Sequence, residues 1–152
     1  MKQELVNYWM TRNVITTTTD TNLHEAHRLM TENQIRRLPI VGRGRLVGIV
    51  TLGDIRGADA SDATTLSIWE LHYLISKVRM KDVMTHNPII ISPKATIADA
   101  AEKMLESKIS GLPVVDDDHR LVGIITESDI FRLVVQAWKK TPVMEMALPD
   151  MV

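Results

Sequence analysis

Apolar positions along the chain come in short runs, and the runs recur twice in the same order. NVITTTT and NPIIIS are short β-branched segments, which predicts a strand for each. Asn22-Leu-His-Glu25 and Thr96-Ile-Ala-Asp99 follow them, each carrying the polar residues that open a helix. Beyond the second of these, Ile97, Ala100, Ala101, Met104 and Leu105 fall at the i, i+3, i+4, i+7, i+8 spacing of one buried helix face. Next, LPIV-GRGR-LVGIV and LPVV-DDDH-RLVGII each set two apolar runs around a polar turn, the pattern of a β-hairpin. A further apolar stretch follows each hairpin, clearest in DIFRLVVQAWKK.

The recurrence is an internal duplication. Setting Met10 against Met84 carries the match without a gap to Val41 and Val115. One extra residue within DDDHR then restores it through Ile55 and Ile130. Identities fall in order as MT-N-I, A-x-x-x-M-x-E-x-x-I, LP-V and RLVGI-T-x-x-DI. Each copy reads strand–helix–strand–strand–helix, too small to bury both faces of its sheet alone. The expected fold is therefore α/β of the α+β type: two β-α-β-β-α repeats sharing a core about a pseudo-twofold axis. The expected boundaries are a first repeat at 5–57, a linker helix segment at 58–78, a second repeat at 79–138 and a C-terminal tail at 139–152. In the linker, GADASDATT is small and polar, and Ser67 with Glu70 forms a capping-box pattern ahead of a helix apolar on most sides. Trp69 and Tyr73 are expected in ordinary core packing, with the inter-repeat seam or a dimer contact as alternatives.

Composition narrows the function. A hydrophobic fraction of 45% supports a real core, mostly aliphatic because aromatic residues are few. The net charge of −1 argues against a general nucleic-acid or membrane-surface binder. Absence of cysteine removes thiol catalysis, thiolate metal sites and disulfides. The start MKQELVNYWM lacks a signal-peptide apolar region, and no run is long enough to span a bilayer. A soluble cytoplasmic protein is expected.

The chemistry concentrates in GIVTLGDI, residues 48–55, and GIITESDI, residues 123–130. In both, Thr-x-x-Asp stands where a strand hands over to a helix. Thr and Asp there can simply cap orphan backbone N–H groups. The same turn also offers free N–H groups and a positive dipole end to an anion. A carboxylate one turn on can accept both hydroxyls of a ribose. Local chemistry leaves capping and ribose-phosphate binding open.

With these landmarks in both halves (W-M or V-M with T-x-N, then L-P-I or L-P-V, then h-V-G-I-h-T-x-x-D-I), the chain resembles the tandem cystathionine β-synthase (CBS) domain pair, or Bateman module, over about residues 5–138. The resemblance implies a regulatory module that binds adenosine-type ligands in clefts between its repeats and assembles as a homodimer. It implies one cleft with Ile49, Thr51 and Asp54 facing Asn87, Ile89, Ile109 and Ser110. The second would combine Ile124, Thr126, Ser128 and Asp129 with Asn13, Ile15, Ile35 and Arg36. Aspartates would hold ribose, hydroxyl residues phosphate, and isoleucines the adenine. The column before L-P carries Arg36-Arg37 in one repeat and Ser110-Gly111 in the other, and Arg132 stands where the first copy has Gly57. The Asp129 cleft is thus expected to prefer a phosphorylated ligand, and the Asp54 cleft to take a less charged adenosine or stand empty.

Other signals are discounted. His24-Glu-Ala-His27 lacks metalloprotease spacing and a third ligand, and Asp116-Asp117-Asp118 lacks an EF-hand register. No catalytic constellation emerges from the spacings, so no enzyme is expected. No cofactor is required; an adenine nucleotide or adenosyl compound such as S-adenosylmethionine is the expected regulatory ligand. Only KKTPVMEMALPDMV follows the last helix, so signal would pass to a separate effector protein, unless the chain is part of a larger one. A purely structural dimerisation module is the main alternative. Nucleic-acid binding through Arg36, Arg37, Arg43 and Arg45 is a more distant one.

Overall fold

Both hairpins form where paired apolar runs predicted them. The computed structural model describes residues 4–60 and 67–140. The first hairpin joins β1 (Arg37–Gly42) to β2 (Arg45–Thr51), and the second joins β4 (Gly111–Val115) to β5 (Leu121–Thr126). Each carries an irregularity at the equivalent place, between Ile40 and Val41 and between Val114 and Val115. Helix α2 (Leu23–Glu32) precedes the first hairpin and α3 (Leu52–Ala60) follows it; α6 (Ile97–Ser107) and α7 (Glu127–Lys140) bracket the second. Short turns α1 (Val6–Trp9) and α5 (Met80–Val83) lead the repeats, α4 (Ile68–Lys77) connects them, and β3 (Thr85–His86) pairs antiparallel with β2.

Capping residues act as their patterns predict. Asn22 accepts from the Glu25 N–H, and Ser67–Glu70 and Thr96–Asp99 form reciprocal capping boxes. Asp116 accepts the N–H groups of Asp118 and Arg120, so the acidic run closes a hairpin turn.

The expected single shared core is instead two cores. One gathers Leu23, Met30, Leu38, Ile40, Val50 and Ile55 of the first repeat with Ile75 and Met80. The other gathers Ile97, Met104, Leu112, Val114 and Ile125 of the second repeat with Val6 and Met10. Each repeat therefore lends its leading turn to the other's core: Val6 N–H donates to Ala95 O and Met80 N–H to Thr21 O, both at 2.9 Å. Each hairpin buries one face beneath its own helix, and alternate residues such as Ile49 and Ile124 stay half-buried on the other.

This exchange explains the repeated glycine of the V-G-I runs. A Cβ on Gly48 would lie 2.5 Å from the Met84 sulfur and 3.0 Å from Thr85 O; one on Gly123 would meet the Met10 sulfur and Thr11 O at the same distances. The Met-Thr step of each repeat crosses the other's second strand where only glycine leaves room.

Four expectations are corrected. The leading strand of each repeat is reduced to one parallel bridge, Thr17 with Ile40 and Ile91 with Val114. Pro88 and Pro93, lacking N–H groups, bracket the second. Leu105 is 79% exposed and Ala101 only half-buried, because Ile97, Ala100 and Met104 fill the narrow stripe that α6 turns inward. Trp69 and Tyr73 are 85% and 62% exposed, not in a core; α4 turns only Leu71 and Ile75 toward the first-repeat core. Helices also overrun two boundaries, α3 reaching Ala60 and α7 reaching Lys140. The rest of the small polar linker, from Ser61, and the tail from Thr141 lie outside the described residues.

Candidate functional site

Each Thr-x-x-Asp turn is closed by its aspartate on the threonine N–H, and the first is reciprocal. Thr51 N–H donates to Asp54 Oδ2 at 2.8 Å, and Asp54 N–H returns a bond to Thr51 Oγ1 at 3.1 Å. Thr126 N–H and its hydroxyl both reach Asp129 Oδ2, at 2.9 and 3.2 Å. Arg132 Nη1 donates to Asp129 Oδ1 at 2.9 Å, and Asp129 is buried. The first turn has Gly57 in the position of Arg132.

Backbone bonds then set the neighbouring strand ends beside these turns. Leu52 N–H donates to Arg36 O at 2.9 Å and Glu127 N–H to Ser110 O at 3.1 Å. Across the pseudo-twofold, Thr11 and Ile124 exchange two 2.9 Å backbone bonds, while Thr85 pairs with Ile49.

Two clefts result, each walled by both repeats. The larger, about 470 Å³, brings Asn13, Ile15, Ile35 and Arg36 together with Ile124, Thr126 and Ser128. The smaller, about 280 Å³, brings Ile49 and Thr51 together with Ile89, Ile109 and Ser110. Four of the expected residues stand outside these walls. Asp54, Asp129 and Arg132 are not among the lining side chains, the aspartates being turned to their caps. Asn87, in the left-handed region at φ 47°, lines a separate hollow with Arg43, Arg45 and His119.

Sequence reasoning missed three charged wall residues. Glu127 lines the larger cleft and Lys108 the smaller, while Arg37 lines both. Lys108 is the duplication partner of Gln34, which lines the larger cleft, and both adopt left-handed backbone. Burial lowers the pKa of Arg37, and nearby Arg36 adds to this, while Glu127 opposes it. Arg43 and Arg45 sit at the far end of the hairpin, a strand length of about 17 Å from Arg37, so the four arginines form no continuous stripe. Among the described residues no His, Asp or Glu group is arranged to hold a metal, and no helix is long and apolar enough to cross a membrane.

Duplicated hairpins, exchanged leading turns and paired inter-repeat clefts define a tandem two-repeat module. Residues 4–61 and 80–136 match the CBS domain, and the chain belongs to that family. It is 35% identical over 138 residues to the uncharacterized protein MJ1225 of Methanocaldococcus jannaschii, covering 86% of this chain but only 47% of that protein, about half its length. Among solved structures, the CBS domain pair of MJ0100 in complex with 5′-methylthioadenosine and S-adenosyl-L-methionine is similar, with a TM-score of 0.75 and 34% identity over 88% of this chain and 97% of that one. CBSX2 of Arabidopsis thaliana in complex with AMP has a TM-score of 0.74 and 31% identity over 89% of this chain and 98% of that one.

Proposed function

We propose that this chain is a non-catalytic sensor module that binds an adenine nucleotide or another adenosyl ligand in the clefts between its repeats. The observation that carries the reading is the pairing of the clefts from equivalent columns: Ile15 and Ile89, Ile35 and Ile109, Ile124 and Ile49, Thr126 and Thr51. Isoleucines on opposing walls suit a flat base, and the helix N-termini at the threonine turns, with the hydroxyls of Thr51 and Ser128, suit a phosphate. A ribose diol would take its place on the aspartates. At Asp129 it displaces Arg132, whose side chain is 59% exposed and free to swing toward a phosphate. A ligand bridging both repeats favours one of their arrangements by the difference in its affinity for each. The neighbouring complexes with AMP and with adenosyl compounds support this ligand class.

The assembly we propose is a homodimer. Phe131, Val135 and Trp138 recur at i, i+4, i+7 on one face of α7 and are largely exposed, as are Trp69 and Tyr73 on α4. A second reading, a dimerisation module whose clefts bind nothing, is favoured by the aspartates' already serving as caps.

Calorimetric titration of nucleotide-stripped protein with AMP, ADP, ATP and S-adenosylmethionine separates the two. Saturable binding that Asp54→Ala or Asp129→Ala weakens by about ten- to a hundredfold supports the sensor and assigns the cleft. No heat from any of the four ligands, in a folded dimer, supports the second reading.

A further inference from the structure

Arg37 occupies the boundary between the clefts. Its duplication partner is Gly111, and the Arg37 side chain lies across that glycine: a Cβ there would sit 2.9 Å from both Cδ and Nε of Arg37. Any larger residue at position 111 would push the guanidinium away. The side chain lines the larger cleft beside Arg36 and Glu127, and the smaller beside Lys108 and Ser110. Among the described residues it makes no hydrogen bond or ion pair, and burial already disfavours its charge. A half-buried guanidinium without a direct counterion is a ready anion partner, and its planar fork suits a phosphate.

We propose that Arg37 is one anion clamp shared by two clefts, so that a phosphorylated ligand in one cleft lowers the other's affinity for a second phosphorylated ligand. The inference rests on the adenosyl-binding reading and adds the coupling between its sites. A single guanidinium can direct its fork to one phosphate at a time. With Arg36 at hand, the larger cleft takes the first anion and draws Arg37 toward it. The smaller cleft is left with Lys108 and favours an uncharged adenosyl ligand. The module would then hold one charged and one neutral ligand in preference to two charged ones, and its state would follow their ratio.

The test closes one cleft at a time and measures AMP and adenosine binding by calorimetry. Ile124→Trp fills the larger cleft and Ile49→Trp the smaller, with Thr126→Trp and Thr51→Trp as the replacement pair should either fail to fold. Each is measured with and without Arg37→Gln. The shared clamp requires Arg37→Gln to weaken AMP by about tenfold or more in both plugged proteins, and adenosine by less than about twofold. It also requires the second AMP in the unplugged protein to bind about tenfold more weakly than AMP binds the Ile124→Trp protein. An effect of Arg37→Gln in only one plugged protein would assign Arg37 to that cleft and overturn the sharing. Unchanged AMP affinity in both overturns any anion role while leaving adenosyl binding intact. Loss of AMP and adenosine binding in the unplugged wild-type protein overturns the underlying reading and the coupling together.

Discussion

The two Thr-x-x-Asp turns share a backbone and differ in their surroundings. In both, the aspartate caps the threonine N–H across one helical turn, at 2.8 Å for Asp54 and 2.9 Å for Asp129. Around Asp129 stand Arg132 on its carboxylate, and Arg36 and Glu127 on the cleft wall. Around Asp54 the matching positions are Gly57, Ser110 and Leu52, with Lys108 where the larger cleft has Gln34. Columns that the fold needs stayed alike through the duplication: the methionine that crosses, the glycine it crosses, the capping pair. On the cleft walls the isoleucine and threonine columns stayed alike too, while Arg36/Ser110, Arg37/Gly111, Gln34/Lys108 and Glu127/Leu52 diverged in charge. The scaffold is thus a constant, and whatever distinguishes the two clefts lies in a few side chains that no core depends on.

Moving those side chains should move the preference. In the Arg36→Ser, Ser110→Arg double variant, AMP affinity of the larger cleft is expected to fall by about 1.5–3 kcal/mol, ten- to a hundredfold, and that of the smaller to rise. Calorimetry with one cleft plugged reads each change, and unchanged affinities would show that the arginine does not meet phosphate.

The shared scaffold should respond alike in both halves. Gly48→Ala and Gly123→Ala each force a Cβ against a crossing methionine, at an expected cost of about 1–3 kcal/mol in urea unfolding. Clearly unequal losses would mean that the two crossings are not equivalent.

Capping comes next. Asp54→Ala should cost about 1 kcal/mol of stability, and Asp129→Ala somewhat more, because it also frees Arg132 from its partner. Equal melting shifts for the pair would remove Arg132 from the account.

The smallest difference lies in acid. The carboxyl of Asp99 in the second repeat is held below its ordinary 3.8 by the Thr96 backbone N–H; that of Glu25 in the first is held below 4.5 by Arg28. Their stabilisation is present above those ordinary values and is lost as pH falls through the lower folded ones. Glu25 draws on an exposed ion pair, so its contribution should shrink in high salt, whereas the backbone-held Asp99 should keep its own. Melting curves of Glu25→Gln and Asp99→Asn against pH at two salt concentrations check this. Equal salt sensitivity would contradict it.

Much of the fold was legible in sequence because its signals are local. The hairpins and the caps at Asn22, Ser67 and Thr96 follow from neighbours within a few residues, and the duplication from matching the two halves column by column. The exchange of leading turns was not legible, since it depends on Val6 and Met80 reaching residues of the other repeat. Nor was the exposure of Leu105 and Trp69, which fit a helical pattern but lie just past the stripe their neighbours fill. At the clefts, column matching found the isoleucines, the threonines and Arg36. It missed Lys108 and Glu127, which carry no motif, and Arg37, whose position over Gly111 is set only by the meeting of two strand ends. It also placed the aspartates in the walls, where the structure has them turned to their own turns.

The most direct test is a calorimetric titration of the nucleotide-free wild-type protein with AMP and, separately, with adenosine. Unequal clefts on a common scaffold predict that the first AMP binds at least about tenfold more tightly than adenosine, and that the second AMP does not. Identical isotherms for AMP and adenosine would contradict the account, because the charge difference between the two clefts would then have no counterpart in what they bind.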